Sequence, residues 1–243
     1  MQGTAGRAGA AALLTLALLA ATAADVGAGW PAHDAPVRHL YLIRHGEYVH
    51  DEDCDEDVGC ALDRLGRHQA ALAGDFLASL GIEFTSLQSS SMTRARETAA
   101  IIDERLPGPA LELHRDIREC TPATRRTDVM AGLEPGEAEA CERELAAAWD
   151  RLVRPAADRD AHDIVVCHGN VIRWFVCRAL GVDPEAWLGM SIANCSLTVI
   201  QVRPDGTCRL VTFADAGHIP FPLRTYPGTP ADPTAVSAAL GPE

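Results

Sequence analysis

The chain has 243 residues, 47% of them hydrophobic and 23% charged, which is enough for one sizeable core with extensions. Its 34 acidic residues outnumber 21 basic ones, a formal charge of −13, and no basic cluster offsets them. That balance argues against nucleic acid as a partner, because such binding neutralises backbone phosphates with Lys and Arg. Any anionic ligand would need a locally positive site.

Residues 1–24 carry one charge, Arg7, then an apolar run from Leu13 to Leu19, then Ala21-Thr22-Ala23. This pattern predicts a secretory signal peptide, and the run falls short of the roughly 20 apolar residues that span a bilayer. Cleavage and export are therefore expected, in preference to an uncleaved N-terminal membrane anchor. With one Arg and no Ser, the segment does not have the composition of a mitochondrial transit peptide. Residues 25–37 read as a linker, 38–226 as the folded domain and 227–243 as a Pro- and Ala-rich disordered tail.

From Arg38 onward short β-rich runs alternate with helical periodicity, the pattern of an α/β domain with a mostly parallel sheet. The first strand, His39 to Arg44, delivers Arg44-His45-Gly46-Glu47 into a glycine turn. Two polar side chains at the end of a buried strand need polar partners. A guanidinium fork matches phosphate oxygens, and a neutral imidazole nitrogen can attack phosphorus. Arg44 is thus a candidate phosphate ligand and His45 a candidate phosphoryl acceptor.

An acidic loop, Asp51 to Asp57, follows. Counted from Asp51, a calcium loop would need Gly where Glu56 stands and Glu where Leu62 stands, so calcium is not supported. The loop reads either as solvated or as an overhang that selects substrates with positive charge beside the phosphate. Asp63 is placed to cap a helix running to about Leu80, with Leu65, Ala73, Phe76, Leu77 and Leu80 on one face and Gly81 ending it. A short strand at Leu87 leads to Ser89-Ser90-Ser91-Met92-Thr93-Arg94, expected to open the next helix. There the free N–H groups and the dipole favour an anion, and Arg94 is a candidate second clamp.

Leu111 to His114 reads as a strand leading to Arg118-Glu119, and residues 134–154 as a mostly solvated helix. Ile164 to Cys167 is a continuous apolar run ending in His168-Gly169-Asn170, which repeats the logic of the first strand. It presents a second imidazole at the carboxyl edge of the sheet, where ligands bind in parallel α/β folds. A helix from Val171 to Leu180 buries Ile172, Phe175 and Val176, and Trp187 and Leu188 add core. Leu197–Val202 and Cys208–Phe213 read as a hairpin around Pro204-Asp205-Gly206. The eight cysteines lack zinc-site spacing and do not read as a disulfide framework. Cys167 and Cys177 suit buried positions, Cys54 and Cys60 could pair in an exported protein, and Cys120, Cys141, Cys195 and Cys208 are unassigned.

These residues together resemble the histidine phosphatase superfamily, in its phosphoglycerate-mutase-like branch. The likeness runs from about Val37 to Arg224 through Leu42-Ile43-Arg44-His45-Gly46-Glu47, Leu65-Gly66-Arg67-His68-Gln69-Ala70, Ser90 to Ala95, Arg118-Glu119 and Cys167 to Arg173. Similarity through Cys177-Arg178-Ala179-Leu180 and Pro184-Glu185-Ala186-Trp187-Leu188 points to the family's mitochondrial Ser/Thr phosphoprotein phosphatases. The resemblance implies a three-layer α/β/α fold and a phosphohistidine intermediate on His45. Arg44, Arg94 and His168 would hold phosphate oxygens, with Gly169 and Asn170 in the same set, and Glu119 would act as general acid. No metal or cofactor is implied. The partner is expected to be a phosphorylated protein or small phosphomonoester, with a homo-oligomer left open and a membrane-anchored, mitochondrial location as the alternative to export. Only 48 residues separate Glu119 from His168, too few for the substrate-holding insertion of the family's mutases, so phosphatase is favoured over mutase.

Overall fold

The computed structural model describes residues 35–51, 53–55 and 57–241. The expected signal segment and all of the linker before Ala35 lie outside them. Six strands form one sheet: β1 (Arg38–Arg44), β2 (Ser86–Ser90), β3 (Leu111–His114), β4 (Ala161–Cys167), β5 (Leu197–Val202) and β6 (Cys208–Asp215). Their order is β3-β2-β4-β1-β5-β6, with the first four parallel and the β5–β6 hairpin antiparallel.

Both faces of β1 are buried, and its side chains alternate between two cores. Tyr41 and Ile43 face α1 (Arg64–Ser79) and α2 (Thr93–Asp103), packing with Leu65, Leu77, Ala95 and Ile102. Leu40 and Leu42 face α4 (Glu137–Leu152) and α5 (Gly169–Leu180), packing with Leu145, Ile172 and Phe175. The result is the expected three-layer α/β/α sandwich. A one-turn helix, α3 (Thr127–Met130), lies in the connection before α4.

Asp63 caps α1 by accepting from the Gly66 N–H, and Gly81 follows the helix end at φ +64. Three expectations change and one open assignment is filled. The serines 89 and 90 end β2 rather than opening α2, which begins at Thr93. Helix α4 is not mostly solvated, since Ala138, Cys141, Leu145, Ala148 and Leu152 bury a stripe at helical spacing. Cys120 and Cys141, unassigned from the sequence, form a disulfide in addition to the anticipated Cys54–Cys60 pair, while Cys167 and Cys177 are buried free thiols as expected and Cys195 and Cys208 are free as well. The tail is not structureless: α6 (Pro233–Leu240) is capped by Asp232, and its Ala235 and Val236 pack on the α1–α2 core. Among the described residues no helix is long and apolar enough to cross a membrane.

Candidate active site

Because β1, β2 and β4 run parallel and adjacent, their carboxyl ends share one edge, with Arg44 level with Cys167 and Ser89 level with Val166. The residues that follow each strand are thereby delivered to one place. The His45 and His168 rings lie 5.1 Å apart between centroids, and both are buried. Arg94, buried in the first turn of α2, donates its Nε–H to His45 Nε2 at 3.1 Å, and its guanidinium lies 4.8 Å from the Tyr48 ring centroid.

The turn bearing His45 is held from several sides. The Gly46 N–H donates to Thr98 Oγ1 at 3.0 Å, Asn194 Nδ2 donates to the His45 carbonyl at 2.9 Å, and the Cys195 N–H donates to the Arg44 carbonyl at 3.0 Å. Cys195 takes a left-handed backbone, φ 53, to make that contact. Buried Gln69 accepts from the Glu47 N–H and donates to the Leu223 carbonyl and Thr225, joining α1 to the turn and to the C-terminal segment. Gly46 and Gly66 allow close passage: a Cβ on Gly66 would stand 1.8 Å from the Glu47 carbonyl oxygen, and one on Gly46 2.5 Å from the Gly66 oxygen.

A hydrogen bond assigns the His45 proton. His45 Nδ1 lies 2.8 Å from the Gly46 carbonyl, which only accepts, so Nδ1 carries the proton and Nε2 keeps a lone pair. Ser90 Oγ accepts from the Met92 N–H and lies 2.8 Å from His168 Nε2. A hydroxyl both donates and accepts, so this contact fits either neutral tautomer of His168. His168 Nδ1 and Arg44 Nε are buried nitrogens without a hydrogen-bond partner. The unpaired Arg44 N–H is suited to an oxyanion. Arg44 is itself steadied by the Ile192 carbonyl at 2.7 Å.

Burial holds the His45 imidazole well below its ordinary pKa, reinforced by His168, Arg44 and Arg94. His168 is lowered for the same first reason, then by Arg94 and Arg44. Glu119 stands at the mouth of the site, its Oε2 4.0 Å from His168 Nδ1. Desolvation raises its carboxyl pKa despite the opposing charges of Arg94 and Arg44. Single ligand atoms of His45, His168 and Glu119 all lie within 4.8 Å of one another, close enough for a metal ion. Arg44 and Arg94 face the same space, however, and their charge favours an anion.

All of the expected site residues converge here, with two differences of role. Asn170 directs its side chain to the Cys120 carbonyl at 3.0 Å and to Arg173, while its N–H donates to Glu119 Oε1 at 3.3 Å. It serves the acid-bearing loop rather than facing a phosphate. Gly169 opens α5 beside Arg44, where a Cβ would meet Arg44 Nε at 3.7 Å, an ordinary van der Waals contact. The acidic loop packs on α2, with the Thr93 N–H donating to the Val58 carbonyl and Gly59 beside Arg94. Its Asp57 pairs with Arg115 and Arg118. Thr98, Asn194 and the His168-orienting role of Ser90 escaped sequence reasoning, because small polar residues in apolar surroundings carry no distinctive spacing.

The fold and site define an α/β protein with a buried, neutral histidine lone pair among arginines at the carboxyl edge of its sheet. The sequence matches the Histidine phosphatase superfamily (branch 1) over residues 40–125 and 124–216, and the chain belongs to that family. It is 40% identical over 188 residues to the mitochondrial serine/threonine-protein phosphatase PGAM5 of Homo sapiens, covering 75% of this chain and 64% of that protein. The protein of the same name from Caenorhabditis elegans is 40% identical over 192 residues, with the same coverage. The chain thus spans about 64% of the length of these curated relatives. Among solved structures, phosphoglycerate mutase from Plasmodium falciparum aligns with a TM-score of 0.55 at 26% identity, covering 77% of this chain and 96% of that one. Bacillus stearothermophilus YhfR aligns with a TM-score of 0.62 at 22% identity, covering 75% and 100%. The fold is phosphoglycerate-mutase-like.

Proposed function

We propose that this protein hydrolyses phosphomonoesters through a phosphohistidine intermediate, and that its substrates are Ser/Thr phosphoproteins. The observation that carries the chemistry is the convergence of the His45 Nε2 lone pair, the unpaired nitrogens of Arg44 and His168, and the raised carboxyl of Glu119. In the first step His45 Nε2 bonds to phosphorus as the ester P–O bond breaks, and Glu119 gives its proton to the departing oxygen. The proton stays on His45 Nδ1, hydrogen-bonded to the Gly46 carbonyl. In the second step a water oxygen bonds to phosphorus, the N–P bond breaks, and Glu119 takes back a proton. Arg44, Arg94 and His168 stabilise the equatorial oxygens, the dominant requirement in phosphoryl transfer. They also supply the local positive charge that an acidic protein needs to hold an anion.

The protein-substrate reading is supported by the serine/threonine-protein phosphatase activity for which the PGAM5 relatives are named and by the acidic loop beside Arg94, which favours basic residues near the phosphate. The relatives' mitochondrial designation favours the membrane-anchored, mitochondrial alternative over export. The two disulfides favour an oxidising compartment. A second reading, a broad-specificity small-molecule phosphatase, draws on a cavity of about 980 Å³ that runs from Arg44 and Glu47 to Tyr226 and Val236. His45→Asn should abolish release of phosphate from p-nitrophenyl phosphate and from a phosphoseryl peptide; near-normal turnover would reject the nucleophile. Basic phosphopeptides should outperform phosphoglycerates with the parent protein, and the reverse order would favour the small-molecule reading. No turnover of any ester by the parent protein would leave a phosphate-binding module.

A further inference from the structure

We infer that the Cys120–Cys141 disulfide is a positioning element for Glu119, which makes leaving-group protonation depend on that bond being oxidised. The inference rests on Glu119 being the general acid proposed above.

The carboxylate stands on a stretch with little structure of its own: Glu119 to Arg126 forms neither helix nor strand. Upstream, Ile117 is fully buried, and the Glu119 N–H makes a weak donation to Met92 Sδ at 3.4 Å. Downstream, Cys120 is fastened twice. Its carbonyl accepts from Asn170 Nδ2 at 3.0 Å, and its sulfur is bonded to Cys141, which α4 buries in the core it shares with Leu145. The next tie along the chain is the Trp187 indole on the Ala123 carbonyl at 2.9 Å. Segments with few backbone hydrogen bonds open locally at small cost, so a covalent tie one residue from the acid decides where the carboxylate stands. Asn170 binds both Glu119 Oε1 and the Cys120 carbonyl, so movement of Cys120 also disturbs the acid's own hydrogen bond. The groups that bind phosphate stand on other segments: Arg44 at the end of β1, Arg94 in α2 and His168 after β4. Opening the disulfide should therefore impair proton delivery while leaving phosphate binding intact.

The test compares a phosphoseryl peptide, whose alkoxide must be protonated as it leaves, with 2,4-dinitrophenyl phosphate, whose phenolate leaves without help. In the full chain, Cys120→Ala/Cys141→Ala should lower kcat on the phosphopeptide by about 10-fold or more, as expected for an acid displaced by roughly an ångström. The loss on the aryl ester should stay within about 3-fold, and competitive inhibition by inorganic phosphate should be unchanged. Reducing the parent protein with dithiothreitol should reproduce the selective loss, and reoxidation should reverse it. In that reaction the reagent gives up two electrons and two protons and becomes a cyclic disulfide, while Cys120 and Cys141 become thiols, confirmed by alkylation and mass spectrometry. Cys54→Ala/Cys60→Ala controls for loss of the other disulfide and should show no dependence on leaving group. Equal losses on both esters, or none, would overturn the inference, and the reversible arm decides the matter if the double variant does not fold. Glu119→Gln separates the two layers. If it too fails to discriminate between the esters, the acid assignment has failed; if it discriminates and the open disulfide does not, only the positioning role has failed.

Discussion

Gly66→Ala is a sharp test of how the turn bearing His45 is built. Gly66 lies in the first turn of α1, where the Asp63 cap and buried Leu65 fix the backbone. An added Cβ would stand 1.8 Å from the Glu47 carbonyl oxygen and 2.7 Å from its carbonyl carbon and its nitrogen. To reach the 3.4 Å of ordinary van der Waals contact, helix and turn must separate by about 1.6 Å, and both partners are backbone, so no side chain can rotate away. Overpacking of this kind costs about 1–3 kcal/mol, or roughly 3–10 °C in Tm for a domain of this size. The shift falls two residues from His45, and an ångström of misplacement costs about 100-fold in rate. Gly74→Ala on the same helix is the comparison, because its nearest obstacle, 2.6 Å away, is the Arg105 side chain, which can move. Thermal unfolding by circular dichroism and kcat/KM on p-nitrophenyl phosphate measure both effects. A Gly66→Ala protein with Tm within about 1 °C of the parent and activity within about 2-fold would refute the close-packing account.

The pH profile should follow from the two shifted groups. His45 is held well below the usual imidazole range, so it stays neutral and activity should persist as pH falls through about 6.5. The raised carboxyl of Glu119 must be protonated for the first step, so turnover of alkyl esters should decline as pH rises through that raised value. Glu119→Gln should flatten this alkaline limb; a parent profile that climbs through pH 6.5 to a basic plateau would contradict both assignments. Chelation is the other check: with arginines neutralising the phosphate, EDTA should leave turnover unchanged, and loss restored by a divalent ion would reject the metal-free scheme.

Arg44, His45, Arg94 and His168 were legible in the sequence because each sits at a junction of strand and turn or of loop and helix, where a polar side chain stands out, whereas Glu119 lies in an irregular stretch and was reached only through the family resemblance. Strand-Arg44-His45-Gly46 and strand-His168-Gly169 are both of this kind, as is Asp63 ahead of α1. The hairpin of β5 and β6 was readable from its own turn for the same reason: short-range geometry is written in local residue choice. Helix α6 carried a readable signal as well, Asp232 followed by Pro233 at the first helical position, but the surrounding Pro and Ala composition pointed to disorder.

Tertiary structure alone decided which distant segments meet. The pairing of β1 with β4 brings Arg44 level with Cys167, and with it His45 beside His168, a contact that depends on sheet order rather than on either sequence. The Cys120–Cys141 bond links positions 21 apart only because the loop bearing the acid lies against α4. The proton on His45 follows from a backbone carbonyl and the His168 ring is held by Ser90, partners that no spacing rule selects. Residue type determined what chemistry was available to this chain, whereas long-range packing determined which groups could act on the same atom.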